Sequence, residues 1–223
     1  MIWLGICILF IAVSGFLFYA SYSIASGVYL KAVCKLNTRE KLVALTYDDG
    51  PEPDTTLPLL DVLKKYDAKA TFFCIGQKAE RHPDVIRRIV AEGHEIGNHS
   101  YTHESTFPLY GKKKMQADLL KTQQILEEIS GKEIQLFRPP YGVTNPTIVS
   151  VIKEFGWRTI GWSLRSFDTQ CKTADEALIR IKRKLKSGNI ILLHDRMPFT
   201  AELTEKLLVY LKENGYKVVP IVF

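Results

Sequence analysis

The first thirty positions carry no charged side chain, and all of residues 2–20 except Gly5, Ser14 and Gly15 are apolar. At a rise of 1.5 Å per residue, such a run can cross a hydrocarbon layer about 30 Å thick. It lacks the basic n-region of a removable signal peptide. Residues 1–35 are therefore expected to form a transmembrane anchor or uncleaved signal segment, and 36–223 one folded domain. From residue 41 the pattern changes to short apolar runs alternating with longer amphipathic stretches. Strands are predicted at 41–47, 68–75, 94–97, 136–137, 157–162, 190–194 and 217–221. Helices are predicted at 56–66, 83–92, 112–129, 146–154, 175–186 and 200–214. The helix at 146 has its own start signal, Asn145 as N-cap followed by proline, and the one at 112 stops at Gly131. About seven βα units without internal repeats imply parallel strands joined by right-handed crossovers, and the natural closure is an α/β fold of the distorted, incomplete (β/α) TIM-like barrel type.

Composition narrows the picture slightly. The domain has about 190 residues, enough for one core and short for two. Charged residues make up 24 % and hydrophobic ones 46 % of the chain, which excludes a disordered or polytopic membrane protein. The net charge is +6, and the basic stretches at 112–114 and 180–186 read as solvated helix faces, with an anionic polymer or lipid surface as the alternative. Cys7, Cys34, Cys74 and Cys171 form no C-x-x-C and no disulfide framework. Lys31, Lys35 and Arg39, just after the apolar block, would place the domain in the cytoplasm by the positive-inside rule. No Walker loop, G-x-G-x-x-G or G-x-S-x-G occurs, so neither a nucleotide cofactor nor serine hydrolysis is expected, and no nucleic-acid partner is.

The candidate chemistry sits where strands end. Asp48 and Asp49 close the first apolar strand within Thr-Tyr-Asp-Asp-Gly-Pro, and two adjacent carboxylates call for a cation or proton between them, although D-G and G-P are also ordinary turn dipeptides. His99 and His103, spaced i, i+4 after the third strand, could offer two imidazole nitrogens to one metal with a carboxylate from elsewhere. Arg138 and Tyr141 flank a stiff Pro-Pro. His194 ends the apolar strand Ile-Ile-Leu-Leu-His-Asp.

These residues carry a resemblance. T-Y-D-D-G-P, H-S-Y-T-H, R-P-P-Y-G and L-L-H-D, in this order and spanning roughly 41–219, resemble the motifs of the polysaccharide deacetylase family, also called the NodB-homology group or carbohydrate esterase family four. The resemblance implies a NodB-type barrel, a divalent metal, and hydrolysis of acetyl groups on polymeric sugars. It makes Asp49, His99 and His103 the metal ligands, Asp48 the general base, and His194 the acid that protonates the leaving amine. It also implies that Arg138 orients Asp48 and that the Tyr141 backbone N–H binds the oxyanion. Asp168 would tune His194, while Tyr141, Trp162, Leu192 and Leu193 would contact substrate, the two leucines around the acetyl methyl. The expected metal is zinc, with cobalt, nickel or manganese as alternatives.

One motif departs from the family pattern. Trp162-Ser163-Leu164-Arg165-Ser166-Phe167-Asp168-Thr169 keeps Asp168 but has Arg165 where relatives carry an aspartate and Thr169 where they carry a tryptophan. The expected activity is N-deacetylation of an N-acetylglucosamine-containing glycan. An O-acetyl esterase and a non-catalytic, membrane-tethered glycan-binding protein are the alternatives. A monomer is expected, anchored in the cell membrane with its domain outside the cytoplasm, against the positive-inside count.

Overall fold

The computed structural model describes residues 2–221. Helix α1 (Ile2–Tyr22) is the apolar block, 21 residues long and almost wholly exposed along its length. Seven further helices and eight strands follow: β1 (Leu42–Asp48), α2 (Pro53–Lys65), β2 (Thr71–Cys74), α3 (Gly76–Arg81), α4 (Pro83–Ala91), β3 (Glu95–Asn98), α5 (Lys112–Ser130), β4 (Leu136–Phe137), α6 (Pro146–Phe155), β5 (Arg158–Thr159), β6 (Leu164–Arg165), α7 (Ala174–Lys184), β7 (Ile190–His194), α8 (Thr200–Glu213) and β8 (Lys217–Val218). The strands run in the order β5-β4-β3-β2-β1-β7-β6, and β8 pairs with the start of β1. Every pair between these strands is parallel. The sheet curls into the incomplete barrel that the βα alternation predicted.

Local signals act as expected at several helix ends. Asn145 Oδ1 accepts from the Ile148 N–H (2.9 Å), Thr173 Oγ1 from the Glu176 N–H (3.3 Å), and Gly131 and Gly156 close α5 and α6 in the left-handed conformation. Two elements have no counterpart in the sequence pattern, the six-residue α3 and the two-residue β6. The strand expected at 157–162 shortens to Arg158–Thr159, with Ile160 held by a single bridge to Val33 and the chain bending at Ser163 before β6.

Strand alternation sorts side chains between two cores. Val43, Leu45, Tyr47, Phe72, Cys74, Ile191 and Leu193 face the surrounding helices in the main core. Ala44, Phe73, Leu136, Ile160 and Ile190 face inward. With both faces of these strands buried, the strands read in sequence as continuous apolar runs, not as alternating ones.

Residues 20–36 belong to the folded domain and are not a loose tether. Thr144 donates its hydroxyl to Ala20 O (3.2 Å) and its N–H to Ser21 O (2.9 Å). Val33 pairs with Ile160, the Gly161 N–H reaches Val33 O (2.9 Å), and Val33 and Leu36 pack on the inner core. The segment thereby links Ile160, just past β5, to Asn189, just before β7. All four cysteines are free thiols.

Candidate active site

Strand β1 delivers two carboxylates to the same cleft, although successive strand residues normally point to opposite faces. Asp49 breaks the alternation with a φ of 76°. Of the six non-glycine residues with positive φ among those described, Asp49, Ser100, His103, Tyr141 and Phe167 lie in the loops around this cleft, and only Asp67 lies elsewhere. Left-handed backbone costs about 1–3 kcal/mol for such residues, so its concentration here marks a site whose geometry the rest of the fold enforces. Gly50 must lack a side chain, since a Cβ there would lie 1.9 Å from Asp195 Oδ2.

The cleft has a volume of about 450 Å³, and Asp48, Asp49, His99, His103, Tyr141, Trp162, Leu192 and His194 all line it. Asp49 Oδ1 lies 3.5 Å from His99 Nε2 and 3.4 Å from His103 Nε2. One ligand-type atom from each of the three residues falls within a 4.8 Å span. A tetrahedral site with metal–ligand bonds of about 2.0–2.1 Å has edges of about 3.3–3.4 Å, so the trio fits a divalent ion in both donor type and spacing. His99 Nδ1 lies 2.7 Å from Arg138 O, where its N–H donates to the carbonyl and leaves the Nε2 lone pair directed at Asp49. Burial and the neighbouring His99 charge lower His103 to about 4, so its ring is neutral and able to ligate near neutral pH. Burial opposes the charge on Asp49, but the surrounding histidines, His99 foremost, outweigh it and hold this carboxyl well below the usual carboxylate range. Tyr141 donates its hydroxyl to His103 O (3.1 Å), bracing the loop that carries this histidine.

Arg138 is fully buried behind the cleft. Its Nη1 donates to Asp48 Oδ1 (2.7 Å) and Thr46 Oγ1 (2.8 Å), its Nε to Ile160 O (3.1 Å) and its Nη2 to Gly161 O (2.8 Å). The guanidinium also stacks on Phe73, 4.1 Å from the ring centre. Four acceptors fix its plane, and the bond to Asp48 turns Oδ2 of that carboxylate toward the metal-type cluster, 3.8 Å from His99 Nε2.

Asp168 holds His194 by two bonds. Oδ1 accepts from Nδ1 (2.8 Å) and Oδ2 from the His194 backbone N–H (2.7 Å). Burial alone would lower the His194 pKa, but Asp168, with Asp48 and Asp49 farther off, raises it above the ordinary histidine value. With Nδ1 occupied, Nε2 is the proton-bearing atom available to the cleft.

Of the residues expected at the site, only Leu193 lies elsewhere. It is the outward neighbour of Leu192 on β7 and belongs to the sheet–helix core, so strand alternation leaves Leu192 alone to border the cleft. Arg165 and Thr169, the departures from the family motif, both line the cleft. Sequence reasoning missed Arg196, whose Nε donates to Asp49 Oδ2 (2.8 Å). Its position directly after the His194-Asp195 strand end was the only available signal. Asp195 was missed too: buried, bonded to Thr56 Oγ1 (2.7 Å) and pushed up to about 7 by burial and by the Asp49 charge.

A family model for polysaccharide deacetylase matches residues 35–160. A peptidoglycan-N-acetylglucosamine deacetylase of Bacillus cereus is 38 % identical over 192 residues, 82 % of this chain and 87 % of that protein. The peptidoglycan-N-acetylmuramic acid deacetylase PdaC of Bacillus subtilis is 34 % identical over 83 % of this chain, which spans only 39 % of PdaC. Among solved structures, a mutant of a CE4 family pseudoenzyme of Bacillus anthracis, described as having restored enzymatic activity, superposes with a TM-score of 0.79 at 32 % identity. That match covers 85 % of this chain and 69 % of the other.

Proposed function

The chain belongs to the polysaccharide deacetylase family, and from that premise we propose that it is a metal-dependent hydrolase that removes N-acetyl groups from an N-acetylglucosamine-containing envelope glycan, peptidoglycan foremost. The observation that carries the reading is the Asp49–His99–His103 cluster, set in one cleft with an arginine-held Asp48 and an aspartate-held His194. The relatives named above support the substrate class.

Asp49, His99 and His103 would hold the ion, and zinc suits a His₂-carboxylate donor set, with cobalt, nickel or manganese as substitutes. When bound, it would acidify water and polarise the acetyl carbonyl. Asp48 Oδ2, turned into the cleft by the Arg138 hydrogen bond to Oδ1, takes the proton of the attacking water. His194 Nε2 gives a proton to the departing nitrogen, a requirement for an amide because an amine anion is a very poor leaving group; such acid catalysis is worth about 10²–10⁴ in rate. The Tyr141 N–H donates to the developing oxyanion. Leu192 borders the acetyl methyl, and Trp162 forms part of the substrate surface. The His194–Asp168 pair favours N-acetyl over O-acetyl substrates, since an alkoxide leaves with less help.

Helix α1 is read as a single-pass anchor with the domain outside the cytoplasm. Its 21 uncharged residues span about 31 Å at 1.5 Å each, which matches the hydrocarbon thickness.

The test is acetate release from peptidoglycan fragments, chitooligosaccharides and acetylxylan, with metal chelated and restored. Activity should require metal, fall to background in Asp49→Ala and His99→Ala, and favour the N-acetyl substrates. Metal-independent release would refute the mechanism, and release from acetylxylan alone would make the protein an esterase.

A further inference from the structure

A second cleft, of about 330 Å³, adjoins the catalytic one and is lined by Arg165, Phe167, Gln170, Arg180, Arg183 and Lys184. Arg165 lines both clefts. Four cations and no acid face this space, and among the described residues none of the four forms an ion pair with a carboxylate. Uncompensated like charges repel, and a fold that gathers them around a concave surface without offsetting acids leaves the surface poised for an anion. Both acids of α7's first turn are engaged elsewhere, Asp175 with Lys206 (2.7 Å) and Glu176 with the Lys172 N–H (2.8 Å).

The arrangement is built from two sides. Arg180, Arg183 and Lys184, at i, i+3 and i+4, share one face of α7. Phe167 supplies the other side from a left-handed turn (φ 57°), which sends its ring out between two guanidinium groups, Arg165 at 5.0 Å and Arg180 at 6.0 Å from the ring centre. The next residue, Asp168, goes inward to His194. One strained turn therefore orients both the acid partner of the catalytic histidine and the aromatic wall of the basic cleft, linking the two mechanically.

Resting on the deacetylase reading, we infer that this basic cleft is an anion subsite of the glycan groove, and that the substrate is an acidic acetylated glycan whose carboxylate or phosphate group docks there while an acetamide occupies the catalytic cleft. Guanidinium forks recognise both oxyanions in a planar, two-bond manner. Continuity with the catalytic cleft through Arg165 favours a substituent of the glycan over a lipid headgroup.

The experiment uses the full chain in nanodiscs. It compares kcat/KM for neutral chitotetraose with that for a peptide-free peptidoglycan tetrasaccharide bearing lactyl carboxylates, in wild type and in Arg180→Glu/Arg183→Glu. The ratio of acidic to neutral kcat/KM should fall about tenfold in the variant, the scale of two exposed charge contacts. The salt dependence of KM for the acidic substrate should flatten as well. An Arg180→Gln/Arg183→Gln variant should give a smaller fall in the same direction, and it serves if the charge reversal does not fold. A phosphate-substituted, carboxylate-free oligosaccharide run in parallel tells the two oxyanions apart. Equilibrium binding of the carboxylated tetrasaccharide to metal-free protein supplies a readout independent of turnover. Weaker binding by the variants supports the subsite even if no substrate is hydrolysed, an outcome that would sink the deacetylase reading alone. An unchanged ratio with unchanged binding overturns the inference, as does loss of binding only to vesicles of anionic lipid, which would make the cleft a membrane contact.

Discussion

Replacing Asp168 by asparagine removes one negative charge from a position that is almost wholly buried and leaves the side-chain volume nearly constant. Both carboxylate oxygens are committed: Oδ1 to His194 Nδ1 (2.8 Å) and the Thr169 N–H (3.0 Å), Oδ2 to the His194 N–H (2.7 Å). An amide has only one oxygen for these donors, so its NH₂ must face either a backbone N–H or Nδ1. In the first case the His194 N–H loses its acceptor, and in the second the Thr169 N–H loses its acceptor while Nδ1 becomes an acceptor and the tautomer reverses. In either case the imidazolium loses its counter-charge, and burial then lowers the His194 pKa. A hydrogen bond to a charged group is worth about 1.5–3 kcal/mol, which corresponds to a fall in kcat of about 10–150-fold. The assay is acetate release across pH with the metal saturating. The alkaline limb of kcat should move to lower pH, because the variant sheds the acid proton more readily, while KM should change little. If kcat falls but the alkaline limb stays where it is, Asp168 only braces the loop. An unchanged kcat would remove His194 from the role of acid.

Three further outcomes follow from buried contacts. Arg138→Ala should cost about 3–5 kcal/mol in urea unfolding, since it leaves the Asp48 charge unpaired and orphans the carbonyls of Ile160 and Gly161. Adding Asp48→Asn should recover part of that loss, and a loss within error for the single variant would contradict the pairing. His94 is buried, its Nδ1 accepts from the Ala70 N–H (3.2 Å), and burial, helped by Lys69, lowers its pKa from 6.5 to about 4. The neutral ring is the one the fold prefers. Its stabilisation, about 3 kcal/mol by that difference, is complete above pH 6.5 and is lost as pH falls toward 4. His94→Gln should flatten the fall in melting temperature over that window, and an identical pH profile in the variant would refute the assignment. Gly50→Ala places a methyl group against the Asp195 carboxylate and should destabilise the fold by about 1–3 kcal/mol in thermal unfolding, a prediction that a wild-type melting temperature would overturn.

Which features the sequence could reveal depends on how far apart in the chain the cooperating residues lie. Helix starts and stops were readable because the cap and the capped N–H are neighbours, as at Asn145 and Ile148. The strand-end motifs were readable for the same reason, each being a short local run. Arg196 was not, because the carboxylate it serves lies 147 residues earlier. Neither was β6, whose two residues have no strand pattern of their own and pair only because Leu164 and Arg165 meet Ile191 and Leu192 of β7. The two leucines before His194 look equivalent in a run buried on both faces. Only the observed register shows that Leu192 borders the cleft and Leu193 the helices.

The apolar block at the start of the chain bears on the chemistry more directly than a tether would. Thr144, which grips the last turn of α1 at Ala20 and Ser21, follows Tyr141 by three residues, a span of no more than about 11 Å of extended chain. Cys34 packs so closely on Gly161 that a Cβ there would lie 2.5 Å from its Sγ, with Ile24 in tight contact at 3.2 Å, and Gly161 O is in turn one of the four acceptors that hold Arg138. A helix that crosses the bilayer would therefore deliver the catalytic cleft to within about two helical turns of the headgroups, in an orientation fixed by hydrogen bonds. Removing residues up to Leu36 would strip the Val33 pairing from Ile160 and the packing from Gly161, loosening the backbone behind Arg138 and, through it, Asp48. The segment after α1 and the Asp48 carboxylate therefore form one mechanical unit, and a chain lacking residues 1–36 should show a lower rate of acetate release than the full chain.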